Sequence, residues 1–298
     1  MMTRQAKLIF PWLLLLFGLF ACTPSRPADF TPSPTPPLPT RTPSPVPPTR
    51  TATLPPTATP LACLSQPGRV EESLLESTKP PQQFLVYLPP CYDQQTDLRY
   101  PVLYLLHGQT FTDDQWVRLG AARIADGLIH SGEAAPFLIV FPDDRYWNLP
   151  PGPLFGERLV NALIPHIDGS YRTLADREHR ALGGLSRGGG WAVNLGLTHP
   201  DLFGMLGLHS PAIFTSDSGL LADWIEAIPS SRYPRVWLDI GDQDRELGYA
   251  RLFTGILAQY GVPLEFHVYS GDHSETYWGR HVEEYLRWYT QGWSESEP

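Results

Sequence analysis

From residue 102 onward, short apolar runs alternate with segments of helical spacing, and this alternation constrains the fold most strongly. Most of these runs are continuously apolar, unlike half-exposed strands, in which polar and apolar side chains alternate. Such strands are typical of parallel sheets, because crossover helices cover both faces of the sheet. The predicted strands are 102–106, 137–141, 180–185, 205–208, 236–240 and 264–269.

Helical segments are predicted between these strands, and a hairpin-like pair of strands, 69–77 and 83–88, is predicted ahead of them. The predicted helices are 119–129, 157–171, 188–197, 220–228, 246–260 and 275–289. The sequence therefore predicts an α/β fold with one mostly parallel sheet flanked by helices on both faces. Ligands of such sheets bind beyond the carboxyl ends of the strands, so functional residues are expected in the loops that follow strands.

The chain before residue 61 differs sharply in composition from the rest. Residues 24–60 consist almost entirely of Pro, Thr, Ser and Ala with a few Arg. Repeated Thr-Pro and Ser-Pro pairs favour extended backbone, because proline fixes its own φ and restricts the residue before it. We therefore expect residues 22–60 to be a disordered linker, on the order of 100 Å long when extended. Residues 61–298 are expected to form one folded domain.

Residues 1–21 are predicted to be a signal peptide, because two basic residues precede an uncharged run over residues 8–21. That run is shorter than the roughly 20 residues of a membrane-spanning helix, although an uncleaved anchor is the alternative. Leu19-Phe20-Ala21-Cys22 resembles a bacterial lipobox. The resemblance implies a lipidated Cys22 that holds the protein on the outer face of a bacterial membrane. Ordinary cleavage near Cys22 would instead release a secreted protein.

Export also bears on the two remaining cysteines, Cys63 and Cys91, which flank the first two predicted strands. Disulfides persist in oxidising compartments, so we predict a structural bridge between them, with two buried thiols as the alternative. The formal net charge is −9 and basic residues do not cluster. This charge distribution argues against a nucleic-acid partner.

The segment Gly184-Leu185-Ser186-Arg187-Gly188 lies between an apolar strand and a predicted helix. It fits the pattern G-x-S-x-G, in which a serine on a sharp strand-to-helix turn needs small neighbours two residues away. Ser186 is therefore the candidate nucleophile. The following helix directs its first amides toward the serine, so the Arg187 amide is a candidate oxyanion donor.

A nucleophilic serine needs a base and an acid that orients it, in the chain order Ser, Asp/Glu, His for this type of sheet. His273 follows the last predicted strand in a polar loop and is the candidate base, with His209 as its rival. Other histidines fall on predicted helices or a strand and are interpreted as structural: His166, His199, His267 and His281. Asp244 is the leading acid because it lies in the loop after strand 236–240, and Asp242 in the same loop is the alternative.

The second oxyanion amide is expected in the loop after strand 102–106, which begins His107-Gly108. Glycine lets the backbone approach the reacting group closely. We assign this role to Gln109, with Thr110 as the alternative. A triad of this kind requires neither a metal nor a cofactor, and none is expected.

Several segments together resemble the esterase D family of α/β-hydrolases, which includes feruloyl esterases, enterochelin-type esterases, S-formylglutathione hydrolase and mycolyltransferases. The segments are YPVLYLLHG, DDQW, LIPHIDGSYRT, ALGGLSRGGGWA, HPDLFG, DIGDQD and GDHSETYW, within residues 84–289. The resemblance implies the α/β-hydrolase fold, with Ser186 as nucleophile, Asp244 as acid and His273 as base. One departure is His209-Ser210-Pro211, where relatives often carry Ser-Gly, and it bears on the shape of the acyl pocket.

Three tryptophans near the ends of predicted strands or past the turns are candidates for lining a substrate pocket: Trp147, Trp191 and Trp278. The leading hypothesis for function is carboxylester hydrolysis through an acyl-serine. Acyl transfer by the same fold and a non-catalytic surface-binding lipoprotein are the alternatives. Feruloyl-polysaccharide, siderophore-lactone and acetyl-sugar esters all suit an exported enzyme, whereas S-formylglutathione belongs to the cytosol.

Overall fold

The protein is represented by a computed structural model that describes residues 62–145 and 155–294. Its centre is an eight-stranded sheet with the strand order β1-β2-β4-β3-β5-β6-β7-β8. Strand β2 pairs antiparallel with both β1 and β4, and every other pairing is parallel. The strands are β1 Arg69–Leu75, β2 Gln82–Leu88, β3 Val102–Leu106, β4 Leu138–Pro142, β5 Arg180–Leu185, β6 Met205–His209, β7 Arg235–Gly241 and β8 Leu264–Tyr269.

Helices cover both faces of this sheet, as the continuous apolar strands predict. The helices are α1 Gln115–Arg118, α2 Ala121–His130, α3 Phe155–Arg158, α4 Ile164–Ser170, α5 Arg187–Thr198, α6 Leu221–Ala227, α7 Leu247–Tyr260 and α8 Glu275–Ser294. Along β3, Tyr104 and Leu106 pack into the hydrophobic cluster beneath α5 and α7, whereas Leu103 and Leu105 pack into the cluster beneath α2 and α8. The predicted α/β architecture is confirmed.

Most predicted boundaries differ from the structure by one or two residues, and a few differences have an evident physical cause. Strand β1 ends at Leu75 rather than at residue 77, and α8 runs on to Ser294 because apolar residues such as Trp293 remain buried beyond residue 289. The predicted helix 157–171 contains a π-helical turn, Leu159–Leu163, before α4. Pro165 stands at the start of α4, and its missing N–H interrupts the regular helical hydrogen bonding.

A disulfide joins Cys63 and Cys91, the predicted pair. Cys63 lies in a short 3-10 helix, Ala62–Ser65, and Cys91 follows the end of β2. The bond therefore attaches the described start of the chain to the sheet. Within residues 62–145 and 155–294, no helix combines the length and the apolar character that crossing a membrane requires. Cys22 and the rest of the predicted signal peptide and linker lie outside the described residues.

Candidate active site

Ser186 occupies a sharp turn between β5, which ends at Leu185, and α5, which begins at Arg187. Its backbone φ of 53° lies in a region that residues other than glycine rarely adopt. A Cβ on Gly184 would lie 2.3 Å from the carbonyl carbon of Gly188, and one on Gly188 would lie 2.2 Å from the Leu106 carbonyl oxygen. Both glycines are thus required by the close packing of this turn, as the pattern predicts.

The end of β6 holds the backbone of this turn in place. The Ser186 amide donates to the His209 carbonyl at 2.9 Å, and the Ser186 carbonyl accepts from the Ala212 amide at 2.9 Å. The connecting residue Ser210 also has a positive φ, of 48°. The segment His209-Ser210-Pro211 therefore supports the serine through its backbone.

Three side chains from three different loops form one chain of hydrogen bonds. The Nε2 atom of His273 lies 2.8 Å from the Ser186 hydroxyl oxygen. The Nδ1 atom of the same ring lies 2.8 Å and 3.0 Å from the two carboxylate oxygens of Asp244. These distances suit a base that accepts the serine proton while the carboxylate fixes the orientation of the imidazole.

The Asp244 carboxylate is fully buried, whereas the His273 side chain retains 14% exposure. Burial alone raises the pKa of Asp244, but hydrogen bonds from His273 and from the Glu246 amide outweigh it, so the pKa is lowered overall. Asp244 therefore stays ionised near neutral pH. Asp242, the alternative acid, is exposed and accepts a hydrogen bond from the Gly271 amide at 3.0 Å.

The rival base His209 belongs to a separate buried network. Its Nδ1 atom lies 2.7 Å from a carboxylate oxygen of Asp239, and both side chains are fully buried. Asp239 also accepts from the Trp237 indole and from the hydroxyls of Tyr277 and Tyr285. The His209 ring is therefore inaccessible to a substrate, and its position identifies a structural role.

The loop after β3 brings both candidate oxyanion residues to the same opening. Gln109 and Thr110 are exposed and line the cleft that contains Ser186. Thr110 has a φ of 70°, an uncommon conformation for a β-branched residue that recurs at functional sites. Arg187 is the first residue of α5, and its side chain donates to the Asp144 carboxylate at 2.8 Å.

The cleft has a volume of about 500 Å³ and contains Ser186 and His273. Trp278 lines it, with its ring edge-to-face against His273 at 5.0 Å between ring centres. Trp191 instead lines a separate cavity of about 130 Å³ and donates its indole N–H to Asp144. Trp191 is not among the described side chains that line the cleft of Ser186, so its place in a substrate pocket stays a prediction. Trp147 lies outside the described residues.

Two polar residues near the cleft are not predicted from the sequence. Asp144 binds the side chains of Arg187 and Trp191, and Gln115 binds the backbone of the loop after β3. The segment DDQW contains Gln115 and carries part of the family resemblance, so a signal for it was present. Asp144 follows a strand end in a segment that carries no comparable motif.

The fold and the cleft geometry together define an α/β-hydrolase with a candidate serine nucleophile. A family model described as "Putative esterase" matches residues 76–289, more than half of the chain. The chain belongs to this esterase family. Its esterase resemblance and its α/β-hydrolase fold are thereby confirmed.

Curated relatives carry esterase names. An endo-1,4-beta-xylanase/feruloyl esterase of Xylanibacter ruminicola is 37% identical over 148 residues, which cover 45% of this chain and 20% of that protein. An esterase of Mycobacterium tuberculosis is 28% identical over 226 residues, covering 58% of this chain and 48% of that protein. The chain thus spans at most about half the length of these relatives.

Solved structures agree with the fold. A ferulic acid esterase superposes with a TM-score of 0.69 and 28% identity, covering 76% of this chain and 99% of that chain. An S-formylglutathione hydrolase of Staphylococcus aureus superposes with a TM-score of 0.61 and 16% identity, covering 75% and 99% of the two chains. At that lower identity the likeness concerns the fold alone.

Proposed function

We propose that the protein is a serine carboxylesterase that acts through an acyl-enzyme. The observation that carries this proposal is the hydrogen-bond chain from Ser186 through His273 to Asp244, at 2.8 Å for each link. His273 accepts the serine proton on Nε2 while the serine oxygen bonds to the ester carbonyl carbon. The same proton then goes to the leaving alcohol as the ester C–O bond breaks, and the acyl group stays on Ser186.

Water completes the reaction by the same two steps, with water as the attacking group and Ser186 as the leaving group. His273 takes a proton from the water, the water oxygen bonds to the acyl carbon, and the proton returns to Ser186 as the acid leaves. Asp244 stabilises the positively charged imidazole that forms in each half. The amides of Gln109 and Arg187 are proposed to stabilise the oxyanion, since backbone donors aimed at developing charge often contribute the largest share of catalysis.

The proposed substrates are esters with an aromatic or acetyl acyl group carried by a polysaccharide, or siderophore-type esters. Support for an aromatic acyl group comes from the feruloyl-esterase names of two relatives. The cleft also offers apolar side chains beside Ser186, namely Phe111, Leu185, Ala212 and Trp278. An apolar wall of this kind suits a flat ring better than a charged acyl group.

The test is a panel of acetyl, longer acyl, feruloyl and coumaroyl esters with wild type and Ser186→Ala. Wild type should prefer some of these esters, and Ser186→Ala should lower kcat by about 10⁴-fold or more. Undiminished hydrolysis by the Ser186→Ala protein would contradict the proposal. Each ester is also assayed with glycerol or a sugar as acceptor, because transfer that exceeds hydrolysis would identify an acyltransferase instead.

The proposed location is the outer face of a bacterial membrane, with Cys22 as the lipidated N-terminus. Support comes from the basic start, the uncharged run and the lipobox-like residues 19–22. Mass spectrometry of the membrane fraction should find a lipid-modified N-terminal Cys22, and Cys22→Ala should move the protein out of that fraction. An unmodified N-terminus elsewhere, with protein released to the medium, would indicate ordinary secretion.

A further inference from the structure

Gln115, the first residue of α1, connects two loops that border the cleft. Its side chain is fully buried, and its Oε1 atom accepts a hydrogen bond from the Gly108 amide at 2.8 Å. Its Nε2 atom donates to the Glu275 carboxylate at 3.1 Å. One amide group thereby joins the loop after β3 to the start of α8.

The neighbouring Trp116 reinforces the same attachment. Its indole N–H donates to the Leu106 carbonyl at 2.9 Å, and its ring is 1% exposed. Leu106 is the last residue of β3, so Gln115 and Trp116 bind the backbone on the two sides of His107. The segment DDQW therefore has a physical role, because two of its side chains bind the backbone where β3 ends.

The Gly108 backbone would be less restricted without this hydrogen bond to Gln115. Glycine has no side chain to restrict its backbone, and a Cβ at this position would lie 2.9 Å from Leu185 Cδ1. The Gly108 amide belongs to the peptide plane directly before the one that carries the Gln109 amide. Fixing the first plane limits the orientations of the second, which carries the proposed oxyanion donor.

The other end of the connection lies close to the proposed base. Glu275 is the first residue of α8 and stands two positions after His273. Its carboxylate also pairs with Arg118 at 3.1 Å, and Arg118 pairs with Asp114 at 2.9 Å. The side chain of Glu275 is thus held from two directions, which gives Gln115 a fixed partner.

We propose that Gln115 is a positioning residue that aligns the oxyanion loop, residues 108–110, with the base that follows β8. The proposal rests on the proposed function, because an oxyanion forms only if Ser186 attacks an ester carbonyl. Gln115 acts through the Gly108 amide and through Glu275. A displacement of about 1 Å at such a donor is enough to lower a rate substantially.

The test compares Gln115→Met with Gln82→Met, since methionine is close to glutamine in size and lacks the amide. Gln82 is a matched control because it is 1% exposed and its amide binds the carbonyls of Gln83 and Asp143. Gln115→Met should lower kcat by about 10- to 100-fold with KM within about twofold, while Gln82→Met keeps kcat. Equal kcat values for the two variants would overturn the proposal.

Gln115→Glu combined with Glu275→Gln provides a rescue, because residue 115 retains an oxygen that can accept from the Gly108 amide and residue 275 supplies the amide donor between them. It should recover at least part of the kcat that Gln115→Met loses, and no recovery would contradict an action through that amide. Should Gln115→Met fail to fold, hydrogen exchange at the Gly108 amide in wild type and in the Gln115→Glu/Glu275→Gln protein remains decisive.

Hydrogen exchange at the Gly108 amide separates this proposal from the proposed function. The amide should be protected in wild type and exchange at least about tenfold faster in Gln115→Met. Rapid exchange in wild type would overturn the attachment itself. If wild type hydrolysed no ester while the amide remained protected, the proposed function would fail and the attachment would stand as structural.

Discussion

At the scale of single residues, the candidate site joins two side chains that border the cleft to one fully buried charge. Ser186 and His273 line the cleft, whereas the side chain of Asp244 is fully buried. Its charge is maintained by the hydrogen bonds from His273 and the Glu246 amide, which lower its pKa despite the burial. A carboxylate of this kind holds the imidazole in the tautomer that can accept the serine proton.

Replacing that carboxylate by its amide tests this role. Asp244→Asn keeps the shape but removes the charge and can donate to His273 Nδ1, so we expect kcat to fall by about 10³- to 10⁴-fold. Asp242→Asn is the matched control, because it lies in the same loop and its new side chain would keep an oxygen for the Gly271 amide. Steady-state kinetics at neutral pH measure both, and equal losses would contradict the assignment of the acid.

The positions of the candidate site residues could be predicted because each follows a strand that the apolar pattern identifies. Ser186 and His273 are fixed in this way by chain order and loop position. Asp244 and Asp242 lie two positions apart in one loop, and local sequence cannot determine which carboxylate turns inward. Burial and the hydrogen bond from the Glu246 amide decide the matter, and both are properties of the folded chain.

At the scale of elements, α8 is attached to the centre of the sheet by a buried carboxylate. Asp239 of β7 accepts hydrogen bonds from Tyr277 at 2.8 Å and Tyr285 at 2.6 Å, both on α8. Burial and the negative charge of Asp239 raise the pKa of Tyr277, so its hydroxyl remains a donor. Because α8 begins two residues after His273, this attachment also defines where the loop that carries His273 ends.

Removing one of these hydroxyls should weaken the attachment measurably. Tyr277→Phe takes one hydrogen-bond donor away from a buried carboxylate, so we expect the free energy of unfolding to fall by about 1–3 kcal/mol. Tyr249→Phe is the control, because Tyr249 is 64% exposed on α7. Urea denaturation of both variants gives the difference, and equal stabilities would show that the hydroxyl contributes nothing.

The strands and long helices were predictable because their apolar periodicity extends over enough residues. Helix α1 was not, since four residues are too few to establish a helical period. The hydrogen-bond network around Asp239 could not be predicted either, because His209 and Tyr285 lie 30 and 46 positions away from Asp239 along the chain. Pairings of this kind depend on the order of strands in the sheet, which local patterns do not encode.

At the scale of the whole molecule, one sheet supports all the parts of the candidate site. The strands β3, β5, β7 and β8 each end beside the cleft, and their loops carry the candidate oxyanion residues, nucleophile, acid and base. Hydrophobic clusters on both faces keep these strand ends in register. The predicted export of the chain agrees with the Cys63–Cys91 disulfide, which secures the described start of the domain.

Covalent labelling of the whole protein with a fluorophosphonate probe, followed by mass mapping of peptides, tests directly whether Ser186 is the nucleophile. Our account predicts one adduct per chain, on the peptide that contains Ser186, with no labelling of Ser186→Ala and slow labelling of Asp244→Asn. Folded wild-type protein that takes up no probe, or a Ser186→Ala protein labelled at the wild-type rate, would contradict it.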